Sequence, residues 1–592
     1  MSEIEQRVAA ARQWLVEHDL EAFVIPRADE YLGEYVPVHN ERLKWMTGFT
    51  GSAGMAVIAR DKAAIFVDGR YTEQVRSQAP SPPFDYEHIL HKHPKVWLVE
   101  NMAPGARIGF DPRLHPLDAW RDIEQSTSDA GLEIVALTQN PVDELWIDRP
   151  APPVDQALLL SIEYTGKSSV DKRTEIAAEI SEAGADSLAV FELDALAWLM
   201  NIRGNDVPHL PVIMGCGVLY SDGRLDFFTD PRKLPNDFAG HVGEGVTVHD
   251  ESRLGPSLSS LPAGHKMLAD PLTVNAAMGL AIEASAAELV PGDDPILIAK
   301  AKKNDTELRA VRSAHIDDGA AVSRFLKWIE DEAAAGRMHD EAELADRLKA
   351  FRQDLPTLHD LSFSTISAAG GNAALPHYSH LNGTPAETTP GSLYLVDSGG
   401  QYPGGTTDIT RTVAIGAPTD EHRDRFTRVL RGHIALAMAQ FPAGTTGVQL
   451  DILARQFLWQ AGLDYDHGTG HGVGSFLSVH EGPQRIAKTP VKRGALLPGM
   501  VLSNEPGYYQ PGDYGIRCEN LMAVVTLDNG FLAFETVTFA PFDLRLVDTT
   551  QMSPAEIGWL DAYHEDVYNK LALLLNADDK AWLRNATRPA AS

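Results

Sequence analysis

The sequence predicts a mixed α/β (α+β) chain of several domains, on three observations. Its 592 residues exceed what one hydrophobic core supports, so two to four domains are expected. Its first 300 residues run through one order of helix and strand and then repeat it. Its C-terminal third holds short apolar strands that end on, or contain, a carboxylate.

The first domain, 1–148, opens on a helix. Ser2 and Glu5 have capping-box spacing, and Ile4, Val8, Ala11 and Leu15 share one helical face. Strands follow at 22–26, 55–58 and 63–67. The last leads into Asp68-Gly69-Arg70-Tyr71, a turn before a helix. The proline-rich segment from Asn140 to Pro153 reads as a linker. Beyond it, a helix from about Asp171 to Ala183 precedes a strand at 187–191. Leu196-Ala197-Trp198-Leu199-Met200-Asn201-Ile202-Arg203-Gly204 then echoes Leu43-Lys44-Trp45-Met46-Thr47-Gly48-Phe49. A second related α/β domain is therefore expected at 149–300. Neither domain carries a metal-ligand set, so scaffold, dimer contact or a wall for a catalytic cleft are the roles open to them. His209 could face such a cleft, although a lone histidine is more often structural.

The third domain is expected at 301–530, with an extension at 531–592. Asn304 or Asp305 caps a long helix through Leu308, Val311, Ala314 and Ile316. A helix near 420–438 should cover a sheet and turn its charged groups to solvent. In the extension, Ser553-Pro554-Ala555-Glu556 starts a helix with an apolar stripe of Ile557, Leu560, Val567, Leu571 and Leu574. The end, Arg588 to Ser592, is expected to be disordered.

Composition narrows the function. Hydrophobic residues make up 44% and charged residues 22%, as in ordinary globular chains. A formal net charge of −31 argues against nucleic acid or an anionic membrane as partner. Two cysteines, Cys216 and Cys518, exclude a disulfide framework and suit a reducing cytoplasm. The N-terminal residues are acidic without an apolar core, so no signal peptide is expected there. No apolar run reaches membrane-spanning length.

The chemistry gathers around Leu393–Val413. Leu395-Val396-Asp397 reads as a buried strand, Gly399 and Gly400 turn the chain, and Asp408-Ile409-Thr410-Arg411-Thr412-Val413 begins a neighbouring, antiparallel strand. Taken alone, an Asp beside a Gly caps a turn. Buried carboxylates, however, need a cation or a proton. Three later stretches add His467-Gly468-Thr469-Gly470-His471-Gly472 with His480-Glu481, then Val501-Leu502-Ser503-Asn504-Glu505, then Gly515-Ile516-Arg517-Cys518-Glu519. Strand alternation puts Arg517 and Glu519 on one face and Cys518 on the other. Four acids and a histidine on separate strands form a candidate two-metal site whose oxygen-rich donors suit Mn, Co or Zn. Ions about 3.5–4 Å apart in such a site share one activated water. His467 and His471 stand four apart, like a helical zinc pair, but the glycines between them argue against a helix.

The order Asp397, Asp408, His471, Glu505, Glu519, each within its own motif, resembles the pita-bread metallopeptidase family. Val396-Asp397-Ser398-Gly399, Gly405-Thr406-Thr407-Asp408, Gly468 to Gly474 and Asn504-Glu505-Pro506-Gly507-Tyr508-Tyr509 are most similar to the three-domain, cytosolic-type Xaa-Pro aminopeptidases. Gly48 to Gly54 and Asp68-Gly69-Arg70-Tyr71 resemble their N-terminal domain. The resemblance implies two tandem creatinase-N-terminal-like domains before a pita-bread catalytic domain. It implies two divalent ions, Mn2+ foremost with Zn2+ or Co2+ as alternatives. Asp397 would chelate one ion, Asp408 and Glu519 would bridge, and His471 and Glu505 would complete the other. Glu505 would also take the water's proton. His377, His467 and His480 would orient the peptide and meet the oxyanion, and Arg517 would support Glu519. The implied reaction releases the first residue of proline-containing peptides, Xaa-Pro, in a cytoplasmic homodimer in which Trp459 is a candidate contact. A prolidase-like Xaa-Pro dipeptidase, a creatinase-like enzyme and a metal-free binding protein on the same fold are the competing readings.

Overall fold

The structure is a computed structural model describing residues 2–492 and 494–591. The chain forms two compact units. One comprises Met1–Leu159, Lys167–Pro208 and Val212–Ile296; the other comprises Leu160–Gly166, His209–Pro211 and Leu297–Ser592.

The first unit opens with the capping box that the sequence predicts. Ser2 Oγ accepts the Glu5 N–H at 3.2 Å, the Glu5 carboxylate accepts the Ser2 N–H at 2.6 Å, and the helix Glu3–Glu17 follows. Val8, Ala11 and Leu15 are buried against Phe23 and Ile58. The strands of the first sheet are β1 (Ala22–Pro26), β2 (Met55–Ala59), β3 (Ala63–Val67), β4 (Asp85–His88), β5 (Arg107–Phe110) and β6 (Glu133–Ala136), in the order β4-β3-β2-β1-β5-β6. The second sheet contains β7 (Ser187–Val190), β8 (Cys216–Tyr220), β9 (Leu225–Phe228), β10 (Val246–His249), β11 (Lys266–Ala269) and β12 (Glu288–Pro291), in the order β10-β9-β8-β7-β11-β12. Both sheets pair their central three strands antiparallel and add the outer ones parallel. The inferred repeat is therefore a repeat of topology.

The linker reading needs one correction. Asn140 Oδ1 accepts the Val142 N–H at 2.9 Å and starts a helix, Pro141–Leu145, with proline at its first turn. Val142 is buried and Trp146 stacks on Trp45 with ring centroids 5.6 Å apart. The prolines that suggest a linker here include one that begins a helix.

The second unit starts from Asn304, whose side chain accepts the Thr306 and Glu307 N–H groups while Glu307 closes the capping box. The helix Asp305–Ala334 follows, burying Leu308, Val311 and Ala314. Its strands are β13 (Asp360–Leu361), β14 (Ile366–Ala369), β15 (Leu393–Ser398), β16 (Gly400–Tyr402), β17 (Gly405–Thr406), β18 (Ile409–Ala414), β19 (Gln440–Phe441), β20 (Gly470–Gly472), β21 (Glu481–Ile486), β22 (Val501–Asn504), β23 (Gly507–Gln510), β24 (Tyr514–Arg517), β25 (Asn520–Thr526) and β26 (Leu532–Thr536). They form the sheets β13-β16-β17, β14-β15-β18, β23-β24 and β19-β26-β25-β22-β20-β21.

Four expectations change here. Gly399 does not turn the chain back but passes it from β15 into β16; a Cβ there would lie 1.9 Å from Thr407 O, which excludes any side chain. The strand expected across 515–521 is interrupted at Cys518–Glu519, between β24 and β25. The helix Asp420–Ala437 does not leave its whole charged face in solvent: Arg431 pairs with Glu556 at 3.0 Å, and His433 is buried with Nδ1 bonded to Asn504 O. In the extension, the helix Pro554–Leu571 buries Leu560, Val567 and Leu571, but Leu574 lies beyond its end and is half exposed. A further helix, Ala577–Ala586, follows an Asn576 cap. Through Ala591 the end is described, and the Ala590 N–H bonds Asp561 Oδ1 at 2.7 Å. Ser592 lies outside the described residues. Among the described residues no helix is long and apolar enough to cross a membrane.

Candidate metal centre

Two strand pairs bring four carboxylates together. β15 and β18 run antiparallel with Asp397 opposite Thr410, so Asp397 near the end of β15 and Asp408 just before β18 arrive at the same end of the pair. β22 and β25 repeat the device. Asn504 pairs with Asn520, and the flanking residues are Glu505 and Glu519. The Glu519 N–H reaches Thr410 O at 3.3 Å and ties the two pairs together. His471 enters from the middle of β20, between β21 and β22. Gly470 allows this: a Cβ there would stand 2.1 Å from Ser503 O.

Donor atoms of Asp408, His471 and Glu519 all lie within 4.8 Å of one another. His471 Nε2 is 3.4 Å from Asp408 Oδ2 and 3.7 Å from Glu505 Oε1. Its Nδ1–H donates to Gly472 O at 3.0 Å, which leaves Nε2 as the donor toward the cluster. Ser503 Oγ accepts the His471 N–H at 3.0 Å and faces Glu505 Oε1 at 3.3 Å.

The charge does not balance. Burial, more than Arg517 can offset, lifts the Asp397 carboxyl to about 7, and Asp408 adds to the rise. Burial and the neighbouring acids push Glu519 and Glu505 up as well. Burial pushes His471 down, but Asp408 and Glu505 outweigh it and hold the ring at about 9. Asp397 Oδ1 is buried without a hydrogen-bond partner among the described residues. Four carboxylates thus face one guanidinium and one imidazole, an oxygen-rich set with room for more positive charge. Such donors fit two divalent ions.

Arg517 corrects one expectation. Its Nη2 bonds Asp397 Oδ2 at 2.6 Å, so its direct partner is Asp397 and not Glu519. It reaches Glu519 through Thr410: Arg517 Nε donates to Thr410 Oγ1 at 3.1 Å, and that hydroxyl donates to Glu519 Oε2 at 2.6 Å. Arg517 and Glu519 do share a face, because both meet Thr410.

The histidines fall into different places. His467 lies outside any helix, Nδ1–H donates to Gly468 O at 2.7 Å, and Nε2 accepts from Tyr509 OH at 2.7 Å. Burial and Arg517 hold it neutral, with a pKa of about 3, and His377 adds to that push. Tyr509 OH in turn accepts from Arg517 Nη1 at 2.7 Å. The ring of His480 stands 4.4 Å from that of His471, on the exposed side of the cluster. His377 is half-buried. His209 belongs to this unit, with Nδ1 3.2 Å from Leu361 O and Nε2 3.2 Å from Ser364 Oγ.

The comparisons with known proteins agree with this build. The profile described as "Metallopeptidase family M24" matches residues 309–526, and "Creatinase/Prolidase N-terminal domain" matches twice, at 7–145 and 148–307. A "C-terminal region of peptidase_M24" matches 530–590. A probable Xaa-Pro aminopeptidase P of Laccaria bicolor is 38% identical over 99% of this chain and 93% of its own. Another from Paracoccidioides brasiliensis is 36% identical over 99% of both. The chain belongs to metallopeptidase family M24. The solved X-prolyl aminopeptidase of Caenorhabditis elegans, described as a cytosolic enzyme with a di-nuclear active site, superposes with a TM-score of 0.93 at 33% identity over 100% of both chains. A Bacillus anthracis Xaa-Pro dipeptidase covers 64% of this chain with a TM-score of 0.52 at 26% identity.

Within this M24 centre, sequence reasoning does not find Thr410 or Tyr509. The signal for Thr410 lies in strand alternation. Thr410 and Thr412 share a face of β18, and Thr412 Oγ1 accepts the Arg517 N–H at 3.1 Å. Tyr509 leaves no such trace, because its partners are fixed by the β23–β24 hairpin. Beside His480, Glu481 is buried between Lys303 and Lys300, with Lys300 Nζ at 3.4 Å.

Proposed function

We propose that this chain is a metal-dependent exopeptidase that releases the N-terminal residue ahead of a penultimate proline. The cluster of Asp408, His471 and Glu519, with Glu505 and Asp397 beside it on the M24 fold, carries the reading, and likeness over the full length to Xaa-Pro aminopeptidases supplies the substrate class. Asp397 would hold one ion, Asp408 and Glu519 both ions, and His471 and Glu505 the second. When bound, two divalent ions supply positive charge that acidifies water and polarises a carbonyl. Glu505 accepts the proton of the attacking water and returns it to the proline nitrogen. His480, exposed beside His471, and His377 orient the peptide and donate to the oxyanion. His467 acts through Tyr509 and Arg517, keeping Asp397 in place. An Xaa-Pro bond is a tertiary amide without an N–H, so recognition has to rest on the proline ring and the free amine. Mn2+ is the proposed metal, ahead of Zn2+ and Co2+, in a cytoplasmic homodimer. Trp459, 45% exposed, is a candidate contact.

The test is hydrolysis of an Xaa-Pro-Xaa tripeptide by EDTA-stripped protein, before and after adding Mn2+, with Asp408→Ala as control. Metal-restored release of the first residue, lost in the variant, is the expected result. Cleavage of Xaa-Pro dipeptides with longer peptides left intact would shift the reading to a dipeptidase. Absence of bound metal and of any hydrolysis would shift it to a binding protein.

A further inference from the structure

From Val473 to Val479 the chain has no regular structure, yet Val473 to Leu477 is buried throughout. Buried irregular backbone has to find hydrogen-bond partners. The β16–β17 hairpin, which lies in the chain between Asp397 and Asp408, supplies several. Gln401 stands opposite Thr406 in its register. The Thr406 hydroxyl donates to Gln401 Oε1 at 2.8 Å and accepts the Leu477 N–H at 3.1 Å. Gln401 Nε2 donates to Leu477 O at 2.8 Å and to His209 O at 3.0 Å. Ser475 Oγ donates to Gly404 O at 2.9 Å. Phe476 has φ +54°, a region that bulky side chains avoid, so its own backbone preference does not hold the loop on this path.

We propose that Gln401 is a positioning residue: acting through Leu477, it sets where His480 stands against the metal centre. The proposal rests on the exopeptidase reading above. Two carbonyls require donors and the Thr406 hydroxyl requires an acceptor, and a primary amide of this length serves all three at once. Gln401 is fully buried, so water cannot replace the lost partners. Methionine fills the same volume with neither donor nor acceptor. Glutamate would set a carboxylate against two carbonyl oxygens.

The experiment compares wild type, Gln401→Met, His480→Ala and the double variant. It measures kcat and KM on the tripeptide, metal content, and hydrogen exchange of the 473–480 segment. Gln401→Met is expected to keep the wild-type metal content, speed exchange at 473–480 about tenfold over that at 393–398, and lower kcat/KM about tenfold. In the His480→Ala background the same change should cost less than about twofold, because the two residues act as a unit. Thr406→Val removes the Leu477 acceptor and should reproduce the effect, and it replaces Gln401→Met if that variant does not fold. Losses that multiply, unchanged exchange, or unchanged kcat/KM would overturn the proposal. Inactive wild type would overturn the exopeptidase reading instead, with exchange still deciding whether Gln401 holds the loop.

Discussion

The first unit and the M24 centre bury charge in opposite ways. In the first unit, the buried cations Lys233 and Arg42 each meet acids directly. Lys233 stands 2.8 Å from Asp206, and Arg42 lies 2.6 Å from both Asp143 and Glu30. In the second unit, four carboxylates converge on one arginine and one histidine. Burying an ion is costly unless something opposite meets it. The first arrangement is complete from side chains alone and serves the fold. The second is left open, and that opening is where the chemistry belongs.

The sharpest way to break this comparison is to remove a ligand. Glu519→Ala should lower kcat/KM more than about a thousandfold and release metal, measured by kinetics and elemental analysis, while the first unit keeps its melting behaviour. Lys233→Met attacks the other side. It leaves Asp206 charged and buried, and should destabilise the first unit by about 3 kcal/mol in denaturant titration, with kcat per folded chain within about twofold of wild type.

Acid sharpens the contrast next. Burial and then Arg411 hold His564 near 3, whereas an unfolded chain protonates histidine near its ordinary value of about 6.5. The unfolded state therefore takes up the proton first, and stability is lost as pH falls below about 6.5. By pH 4 the loss from this one group approaches about 3 kcal/mol. His564 Nε2 accepts the Phe542 N–H at 3.1 Å, and a glutamine can replace that acceptor. His564→Gln should flatten the pH dependence of stability between 6.5 and 4; an unchanged slope would contradict it.

The smallest expected effect comes from Thr410→Val, which cuts the relay between Arg517 and Glu519. It should lower kcat about tenfold with both ions retained, and kinetics alongside metal analysis would check it.

What could be read from the sequence follows the range of each cause. Asp397, Asp408, His471, Glu505 and Glu519 are legible because each sits in a short local phrase: a strand end, a glycine pair, a following proline. The Ser2, Asn304 and Ser553 capping boxes are legible for the same reason. The repeat in the first 300 residues shows in the order of events, although only the strand register reveals that both sheets share one topology. What is not legible depends on register between distant strands. Strand alternation assigns Arg517 to Glu519, its neighbour along the chain, but Asp397 meets it directly across the β15 and β24 segments. Gln401 carries no local signal, and its role shows only when Leu477, far along the chain, is laid beside it. Asn140-Pro141 and Asn576 are local helix starts that prolines and a polar tail composition obscured.

The unmatched charge of the four carboxylates calls for two divalent ions, so the number of metal ions bound per chain is the decisive measurement. Purified protein reconstituted with Mn2+ and freed of excess ion should carry two divalent ions per chain by elemental analysis, and at most one in Asp408→Ala. Protein that binds none, or an Asp408→Ala variant that still binds two, would contradict it.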